Sequence, residues 1–221
     1  RKLLNIHIQN PKISSNYFTY VISPNHDNFV GHNVLNSVGA LHHLNKNQKT
    51  SNPNLVTCIV GGNNQHYYFN HKEANKLCEK LIELKKNKID IELNIITSRR
   101  TSNLVKKILV KKLNNIATIW TGDGKNPYKE SIQNSSFFII TSDSTSMISE
   151  AAISGKPIYI YHLSFKRKSE RIENFHKEFS ELGITKDITN IKHLRNWSYN
   201  SLNESERIAR IIKKRIIEEN I

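Results

Sequence analysis

Short apolar runs alternate with amphipathic helical segments along most of the chain, and this alternation constrains the fold more than any other feature. The apolar runs are at 56–60, 91–97, 116–120, 137–141 and 158–161, and helical periodicity occurs at 70–86, 101–113, 128–133 and 146–153. Strands that alternate with helices form a parallel sheet, because right-handed crossovers place the helices on its two faces. The sequence therefore predicts an α/β, Rossmann-like parallel sheet with helices on both faces.

The segments on either side of this region have a different character. Residues 3–9 and 17–23 read as two strands, and 34–44 resembles a helix. Residues 46–54 are polar and aperiodic, which is typical of a linker between domains. We therefore expect 1–45 to belong to a first Rossmann-like domain and 55–200 to form a second. A strand so close to Arg1, with no signal peptide before it, indicates that the first domain is incomplete.

Basic residues outnumber acidic ones. The chain has 33 Lys+Arg against 19 Asp+Glu, so its net charge is 33 − 19 = +14. Such a charge favours anionic partners, namely phosphate-bearing ligands, nucleic acid or an acidic membrane surface. The alternative is that the basic clusters are solvated faces of amphipathic helices. Aromatic residues do not alternate with these clusters, as they do in proteins that bind single strands, so nucleic-acid binding ranks last.

Several other classes of site lack their motifs. Cys58 and Cys78 have no CxxC partner, so we expect small core residues and no metal site. No run approaches the roughly 18 apolar residues that a membrane-spanning helix needs. GxxxxGK[ST], GxGxxG and GxSxG are absent. Their absence argues against a P-loop NTPase, a standard dinucleotide site and an α/β-hydrolase nucleophile.

Polar clusters follow four of the predicted strands. They lie at 61–64, 97–101, 122–124 and 142–146. Ligands of an open parallel sheet bind beyond the carboxyl ends of its strands, so these clusters should meet at one edge. Gly61 and Gly62 would let the backbone approach a ligand, although a tight turn alone explains them equally well. Arg99 and Arg100 offer forked donors for phosphate oxygens, or are surface charge.

The fourth cluster precedes a predicted helix. Thr145 or Ser146 could cap that helix, and its free backbone amides would form an anion site. Capping alone is the alternative, but the cluster has more hydroxyl groups than capping needs. Glu150 lies about one turn along the helix and could accept hydrogen bonds from hydroxyl groups such as those of a ribose.

Eight stretches of the chain carry a family resemblance: "IQNPKI", "ISPNHDNFVGHNVLNSVGALH", "IVGGNNQHYYF", "ITSRRT", "GDGKNPY", "TSDSTSMISEAAISGKPIYIY", "ENFHKEFSELGIT" and "NWSYNSLNESERIA". In this order and spacing they resemble the mitochondrial fission "elongated mitochondria" family, whose bacterial members are described as glycosyltransferases. The likeness extends over essentially the whole chain, and "SDSTSMISEAAISGKP" and "SPNHDNFVGHNV" are its most specific parts. Relatives are longer at the amino end, in keeping with an incomplete first domain.

The resemblance implies a GT-B fold, in which two Rossmann-like domains face each other across a cleft. Residues 55–200 would then hold a nucleotide-sugar donor, and the helix at 201–221 would cross back to the first domain. Ser144, Thr145 and Ser146 would contact the diphosphate, and Glu150 would hold the ribose. The full predicted donor set is Gly61, Gly62, Asn63, Arg99, Arg100, Asp123, Asn126, Asp143, Ser144, Thr145, Ser146 and Glu150.

The first domain of such enzymes supplies the acceptor side, which makes His26 and Asp27 candidate catalytic residues, Asp27 being the weaker candidate for the base. Two departures from the family pattern matter. Residues 63–65 are Asn-Asn-Gln where relatives carry a basic residue, so other cations or helix amides must steady the diphosphate. Asn28 replaces a glycine after His-Asp, and asparagine still tolerates left-handed backbone angles.

The expected function is metal-independent transfer of a sugar from a nucleotide-diphosphate-sugar to a lipid or cell-envelope polysaccharide. No cofactor is expected, and no Asp-x-Asp metal motif occurs. The expected location is cytoplasmic, with peripheral contact to an anionic membrane, or the mitochondrial outer surface if the eukaryotic role applies. The alternative is a non-enzymatic membrane adaptor that recruits a dynamin-like partner and retains the fold without the chemistry.

Overall fold

The computed structural model describes residues 3–45, 52–88 and 90–218, which contain two parallel sheets. The smaller sheet consists of β1 (Ile6–Ile8), β2 (Tyr20–Pro24) and β3 (Val34–Ser37). The larger sheet consists of β4 (Asn52–Val60), β5 (Glu92–Thr97), β6 (Ala117–Trp120), β7 (Ser135–Thr141), β8 (Ile158–Tyr161) and β9 (Thr185–Asp187). The helices are α1 (His71–Asn87), α2 (Asn103–Leu113), α3 (Tyr128–Asn134), α4 (Thr145–Ala152), α5 (Glu170–Glu181) and α6 (Glu204–Glu218).

The larger sheet has the strand order of a Rossmann fold. Its neighbours run β6-β5-β4-β7-β8-β9, and every pair is parallel. Counted along the chain, this order is 3-2-1-4-5-6, the arrangement of doubly wound nucleotide-binding sheets. Successive strands are added on one side of β4 as far as β6, and from β7 onwards on its other side. In doubly wound sheets a ligand crevice lies outside the carboxyl ends of the strands at such a reversal, which here is the β4–β7 pair.

Helices cover both faces of the larger sheet, because its side chains alternate. Val56, Cys58 and Val60 of β4 lie in one buried cluster with apolar residues of α1 and α2. Ile59 and Phe138 lie in the cluster on the opposite face, with residues of α3, α4 and α5. Apolar residues on both faces explain why β4 and β7 read as continuous hydrophobic runs. The predicted fold class and the burial of both cysteines are confirmed.

One predicted helix is wrong. Residues 34–44 contain strand β3 followed by irregular backbone. Leu35 and Ser37 are buried while Val34 and Asn36 are more exposed, which is the period of two of a half-covered strand. The strand pairs in parallel with β2, and Gly39 then turns with φ +69°. A long-range strand pairing therefore overrides the helix-like spacing of the apolar residues.

Other boundaries differ as well. Strand β4 begins at Asn52, so the end of the expected linker at 46–54 belongs to the larger sheet, while 46–51 lie outside the described residues. Within the helix predicted at 101–113, α2 begins at Asn103 and buries Val105 and Leu109, while Leu104 is 55% exposed. Helix α5 and the short strand β9 are elements that the sequence analysis does not assign.

Helix α6 connects the end of the chain to the smaller sheet. Its Ile208 is buried against Ile22 of β2 and Leu35 of β3. Glu204, at the start of the helix, accepts the backbone N–H of Val38 at 2.8 Å. The smaller sheet therefore packs against the last helix of the described chain. In the described part of the chain, no helix combines the length and the apolar character needed to cross a bilayer.

Candidate functional site

The carboxyl ends of β4 and β7 lie side by side, and a buried carboxylate occupies the space between them. Gly61 and Gly62 follow β4, and Asp143 follows β7. The Asp143 side chain is 0% exposed. It accepts hydrogen bonds from the Gly62 amide at 3.0 Å and from the Thr141 hydroxyl at 2.6 Å. Arg100 pairs with it at 2.8 Å, so the charge is compensated.

The two glycines are required by this packing. A Cβ on Gly61 would lie 2.1 Å from Asp143 Oδ2, and one on Gly62 would lie 2.0 Å from the backbone oxygen of Arg100. Both distances are far below van der Waals contact. The glycines were expected to admit a ligand, whereas they admit the carboxylate and the backbone that carries Arg100. They form the floor of the site.

An outer cavity of about 480 Å³ opens above this floor. It is lined by Asn64, Gln65, His66, Arg100, Asp143, Ser144, Thr145, Ser146, Arg171 and Ile172. Ser144 is the N-cap of α4, and its Oγ accepts the Met147 amide at 3.4 Å. The first residues of a helix have amides without intrahelical partners, and its dipole favours an anion there. Two guanidinium groups and a helix N-terminus therefore face one cavity, which is suited to a phosphate group.

An inner cavity of about 460 Å³ lies at the ends of β5 and β6. Its lining is Ile59, Ile96, Thr97, Ser98, Arg99, Lys106, Trp120, Thr121, Gly122, Asn126, Tyr128, Met147 and Glu150. The Tyr128 hydroxyl donates a short hydrogen bond to Glu150. Burial, with the adjacent Glu150 carboxylate, raises the pKa of Tyr128 far above its ordinary value, so the hydroxyl stays protonated and donates. The cavity therefore joins apolar walls to one carboxylate that accepts hydroxyl hydrogen bonds.

The predicted acceptor-side residues lie beside the outer cavity. His26 is buried and packs edge-on against Phe175 of α5, with ring centroids 5.1 Å apart. The Asp27 side chain is only 6% exposed and pairs with Arg171 at 2.8 Å. Burial lowers the pKa of His26 to about 4, partly offset by Asp27, so its imidazole is neutral at neutral pH. Asn28 has φ 50° and ψ 33°, the left-handed conformation that its side chain tolerates.

A second buried histidine supports the segment after β7. His176 Nε2 donates to the backbone oxygen of Ser142 at 2.9 Å. Burial lowers the pKa of His176 to about 4, so it too is neutral near pH 7. The neutral ring fixes the backbone from which Asp143 and the N-terminus of α4 project. His176 is thus a positioning residue for the floor of the site.

The structure brings most of the predicted donor residues to one edge of the sheet but divides them between two cavities. Arg99, Asn126 and Glu150 line the inner cavity, while Arg100, Asp143 and 144–146 line the outer one. Asn63 lines neither; it is exposed, and its side chain accepts the Phe69 amide. Asp123 lies in a surface groove beside the lysines of α2.

Sequence reasoning missed Arg171 and Tyr128. Arg171 belongs to α5, whose spacing of Ile172, Phe175 and Phe179 on one face could have indicated a helix. Tyr128 lies in a segment that was assigned as a helix, but no motif marks its hydroxyl group. Within 3–45, 52–88 and 90–218, no group of three or more His, Cys, Asp or Glu side chains could hold a metal ion.

The two parallel sheets and the Rossmann strand order define a GT-B-type α/β protein. Among solved structures, the S. aureus MnaA-UDP co-structure matches 88% of this chain and 51% of its own, with a TM-score of 0.51 and 14% identity. At that identity the likeness shows the fold. The fold class predicted from the sequence is therefore confirmed.

The chain belongs to the Mitochondrial fission ELM1 family, whose model matches residues 1–216. The uncharacterized protein RP120 of Rickettsia prowazekii (strain Madrid E) is 34% identical over 165 residues, 72% of this chain and 46% of that protein. Mitochondrial fission protein ELM1 of Arabidopsis thaliana is 25% identical over 253 residues, 96% of this chain and 57% of that protein. The chain therefore spans about half the length of these relatives, and the family resemblance is confirmed.

Proposed function

We propose that the chain binds the donor of a glycosyltransferase, which transfers a sugar from a nucleotide-diphosphate-sugar to a lipid or cell-envelope polysaccharide. The observation that carries the proposal is that one helix serves both cavities. Ser144 caps α4 at the outer cavity, and Glu150 of the same helix lines the inner one. Six residues of helix span about 9 Å. A diphosphate at the N-terminus and a ribose at Glu150 would be separated by a comparable length.

The two cavities suit the two ends of a nucleotide. In the outer cavity, Arg100 and the amides of α4 would stabilise the negative charge that develops on the leaving diphosphate. In the inner cavity, the Glu150 carboxylate would accept hydrogen bonds from ribose hydroxyls. We propose that the charge stabilisation comes from these groups without a metal ion.

In this reaction the bond between the anomeric carbon and the diphosphate oxygen breaks, and the acceptor oxygen forms a new bond to that carbon. The acceptor proton must pass to a base. His26 is the better candidate, because it is neutral at pH 7 and Asp27 is already ion-paired. Both residues lie in the 3-10 turn that directly follows β2 of the smaller sheet, which we assign to the acceptor side.

The acceptor and the location are also proposals. With a net charge of +14, the chain would be attracted to an anionic membrane from the cytoplasmic side, by about 1 kcal/mol for each well-placed Lys or Arg. A lipid acceptor would then be available at the same surface. In a eukaryotic cell the corresponding surface would be the mitochondrial outer membrane.

The test is a thermal-shift panel of nucleotides and nucleotide sugars on the full chain, with UDP as the first probe. At ten times its Kd, a ligand stabilises the folded state by about 1.4 kcal/mol, or roughly 3–6 °C for a protein of this size. We expect Glu150→Ala to abolish the UDP shift and Glu130→Ala, which removes an exposed carboxylate of α3, to retain it. The proposal is wrong if no nucleotide of the panel shifts the wild-type protein.

The second candidate is a membrane adaptor that recruits a dynamin-like partner; the observation that favours it is that the Arabidopsis relative is named a mitochondrial fission protein. An adaptor has no need of Arg100 and Glu150 at one edge of the sheet, so the cavities favour the enzyme. Capture of a dynamin-like protein by the full chain, equally strong with and without UDP and unchanged by Glu150→Ala, would support the adaptor.

A further inference from the structure

We propose that Arg171 is an anion-binding residue of the outer cavity that Asp27 holds in the free protein, so that a bound anion and Asp27 compete for it. This inference rests on the proposed function, because the anion would be the diphosphate of the donor. It adds a residue that the family resemblance did not include, and it links the donor cavity to the acceptor-side pair.

The position of Arg171 places it between the two partners. It lies in the first turn of α5 and lines the outer cavity together with 144–146. Its Nη1 donates to Asp27 Oδ1 at 2.8 Å, and its side chain is 49% exposed. A half-exposed guanidinium has five donors, of which one contacts Asp27, so others can reach an anion in the cavity.

Arg100 and Arg171 are held in different ways. Arg100 pairs with Asp143, whose side chain is 0% exposed and also accepts from Gly62 and Thr141. That carboxylate is fixed by the strand ends, so Arg100 stays in place. Asp27 Oδ1 also lies 3.9 Å from His26 Nε2, beyond hydrogen-bond distance. Of the two cations, Arg171 is therefore the one that an anion can draw away.

Movement of Arg171 would change the charge around the acceptor-side pair. The groups near His26 are Asp27, Arg171 and His176, with Glu178 bonded to the adjacent Asn25. Arg171 lowers the pKa of His26 and Asp27 raises it. When Arg171 turns towards an anion, the lowering influence weakens while Asp27 remains. The proton affinity of His26 therefore rises when the donor cavity fills, which prepares it to accept a proton.

The consequence is an order of events. In the free protein the Asp27 carboxylate is neutralised by Arg171, and His26 is a poor base. When Arg171 turns towards a diphosphate in the cavity, the Asp27 carboxylate loses its counter-ion. His26 and Asp27 together then carry a net negative charge beside the acceptor. Proton acceptance is then coupled to the presence of a donor.

The test measures pyrophosphate binding by calorimetry on the full chain and a set of variants. We expect Asp27→Asn to bind pyrophosphate about threefold to tenfold more tightly, because Arg171 no longer has a competitor, and Arg171→Met to bind about tenfold more weakly. The double variant should bind as weakly as Arg171→Met alone, since the effect of Asp27 acts through Arg171.

Two control variants distinguish competition for Arg171 from a general effect of the net charge near the cavity. Glu170→Gln removes one negative charge from the exposed residue before Arg171, and Arg167→Met removes one positive charge from an exposed residue nearby. The inference is wrong if Asp27→Asn gains no more affinity than Glu170→Gln, or if Arg171→Met loses no more than Arg167→Met. The Arg171 comparison decides the matter by itself if Asp27→Asn fails to fold.

A second readout tests the proton step. Binding is measured at about pH 5.5 in two buffers of different ionisation enthalpy, so that proton exchange is visible in the heat. Pyrophosphate itself exchanges protons in this range, so His26→Gln is the reference: wild-type protein should take up more protons than His26→Gln, and Arg171→Met should not. If pyrophosphate and UDP bind without this difference and Asp27→Asn has no effect, this inference fails and the proposed function stands. If neither binds to the wild-type chain, both fail.

Discussion

The outer and inner cavities lie on the same edge of one sheet, yet they are built in opposite ways. In the outer cavity each guanidinium already has a carboxylate partner, Arg100 with Asp143 and Arg171 with Asp27. In the inner cavity the one carboxylate, Glu150, accepts a tyrosine hydroxyl, and two cations, Arg99 and Lys106, line the walls together with apolar side chains. Carboxylates hold the cations of the outer cavity, whereas a neutral hydroxyl group holds the carboxylate of the inner one.

The difference comes from the position of each cavity relative to the reversal of strand order. The outer cavity lies over the β4–β7 pair, where the Asp143 side chain leaves room only for glycine at 61 and the Arg100 backbone only for glycine at 62. Its charged groups are thus part of the packing of the fold. The inner cavity lies over β5 and β6, towards the last strand on that side of the sheet, and among the described residues no glycine contact of this kind holds its walls together. Changes in the outer cavity should therefore cost stability, and changes in the inner cavity should mainly affect binding.

The largest effect is expected for Gly62→Ala. Its Cβ would lie 2.0 Å from the Arg100 backbone oxygen, so the two loops must separate. We expect the free energy of unfolding to fall by about 3 kcal/mol or more. Gly124→Ala is the control: its φ is +72° but no described atom lies within 4 Å, so backbone strain alone should cost about 1 kcal/mol. Equal losses in chemical denaturation would contradict the close packing of the outer cavity.

An effect that is smaller for each residue is expected from pH, and it comes from two buried histidines beside the outer cavity. Burial lowers the pKa of His26 and of His176 from 6.5 to about 4. Between these values the unfolded chain binds protons that the folded chain does not. The stability is therefore complete above pH 6.5 and declines as the pH falls towards 4, by on the order of 2 kcal/mol for each histidine.

Denaturation at a series of pH values measures this slope. His176→Gln should flatten it, because one of the two buried rings is removed. His71→Gln, at an exposed histidine that begins α1, should leave the slope as it is. An unchanged slope in His176→Gln and in His26→Gln would show that the acid sensitivity arises elsewhere.

The smallest effect is expected in the inner cavity. Tyr128→Phe removes the hydroxyl that donates to Glu150, which should cost about 1 kcal/mol of stability. In the wild-type protein Glu150 must release the tyrosine hydroxyl before it can bind a ribose, and the variant has no such bond to break. UDP should therefore bind about threefold more tightly by calorimetry. Tyr17→Phe, at a 72% exposed tyrosine, should change neither quantity. If Tyr128→Phe instead weakens UDP as strongly as Glu150→Ala, the hydroxyl itself contacts the ligand and the two residues act together.

Much of the larger sheet could be predicted because its signals are local. The buried strands are short apolar runs, and α1 and α2 have a regular stripe of apolar residues. Prediction failed where a contact distant in sequence decides the structure. Segment 34–44 has helical spacing, but pairing with β2 draws Val34–Ser37 into a strand. Strand β9 has the sequence Thr-Lys-Asp and no apolar signal; it exists because β8 offers it a partner.

The candidate site shows the same division. The polar clusters at the strand ends indicate a site, since parallel strands bring their carboxyl ends to the same side of the sheet. The sequence could not indicate that Asp143 would fill the space beside Gly61, or that Arg99 and Arg100, adjacent in the chain, would face different cavities. No sequence motif marks Arg171, because its position beside the outer cavity depends on a contact with Asp27, 144 residues away in the chain.

The sequence by itself determined the type of fold and the side of the sheet where its polar strand ends meet, because hydrophobic period and the order of elements are properties of consecutive residues. Only the tertiary structure decided which charges meet. Ion pairs such as Arg100–Asp143 and Arg171–Asp27 join residues far apart in the chain. Their energies depend on distance and burial, which no spacing of residues along the chain contains.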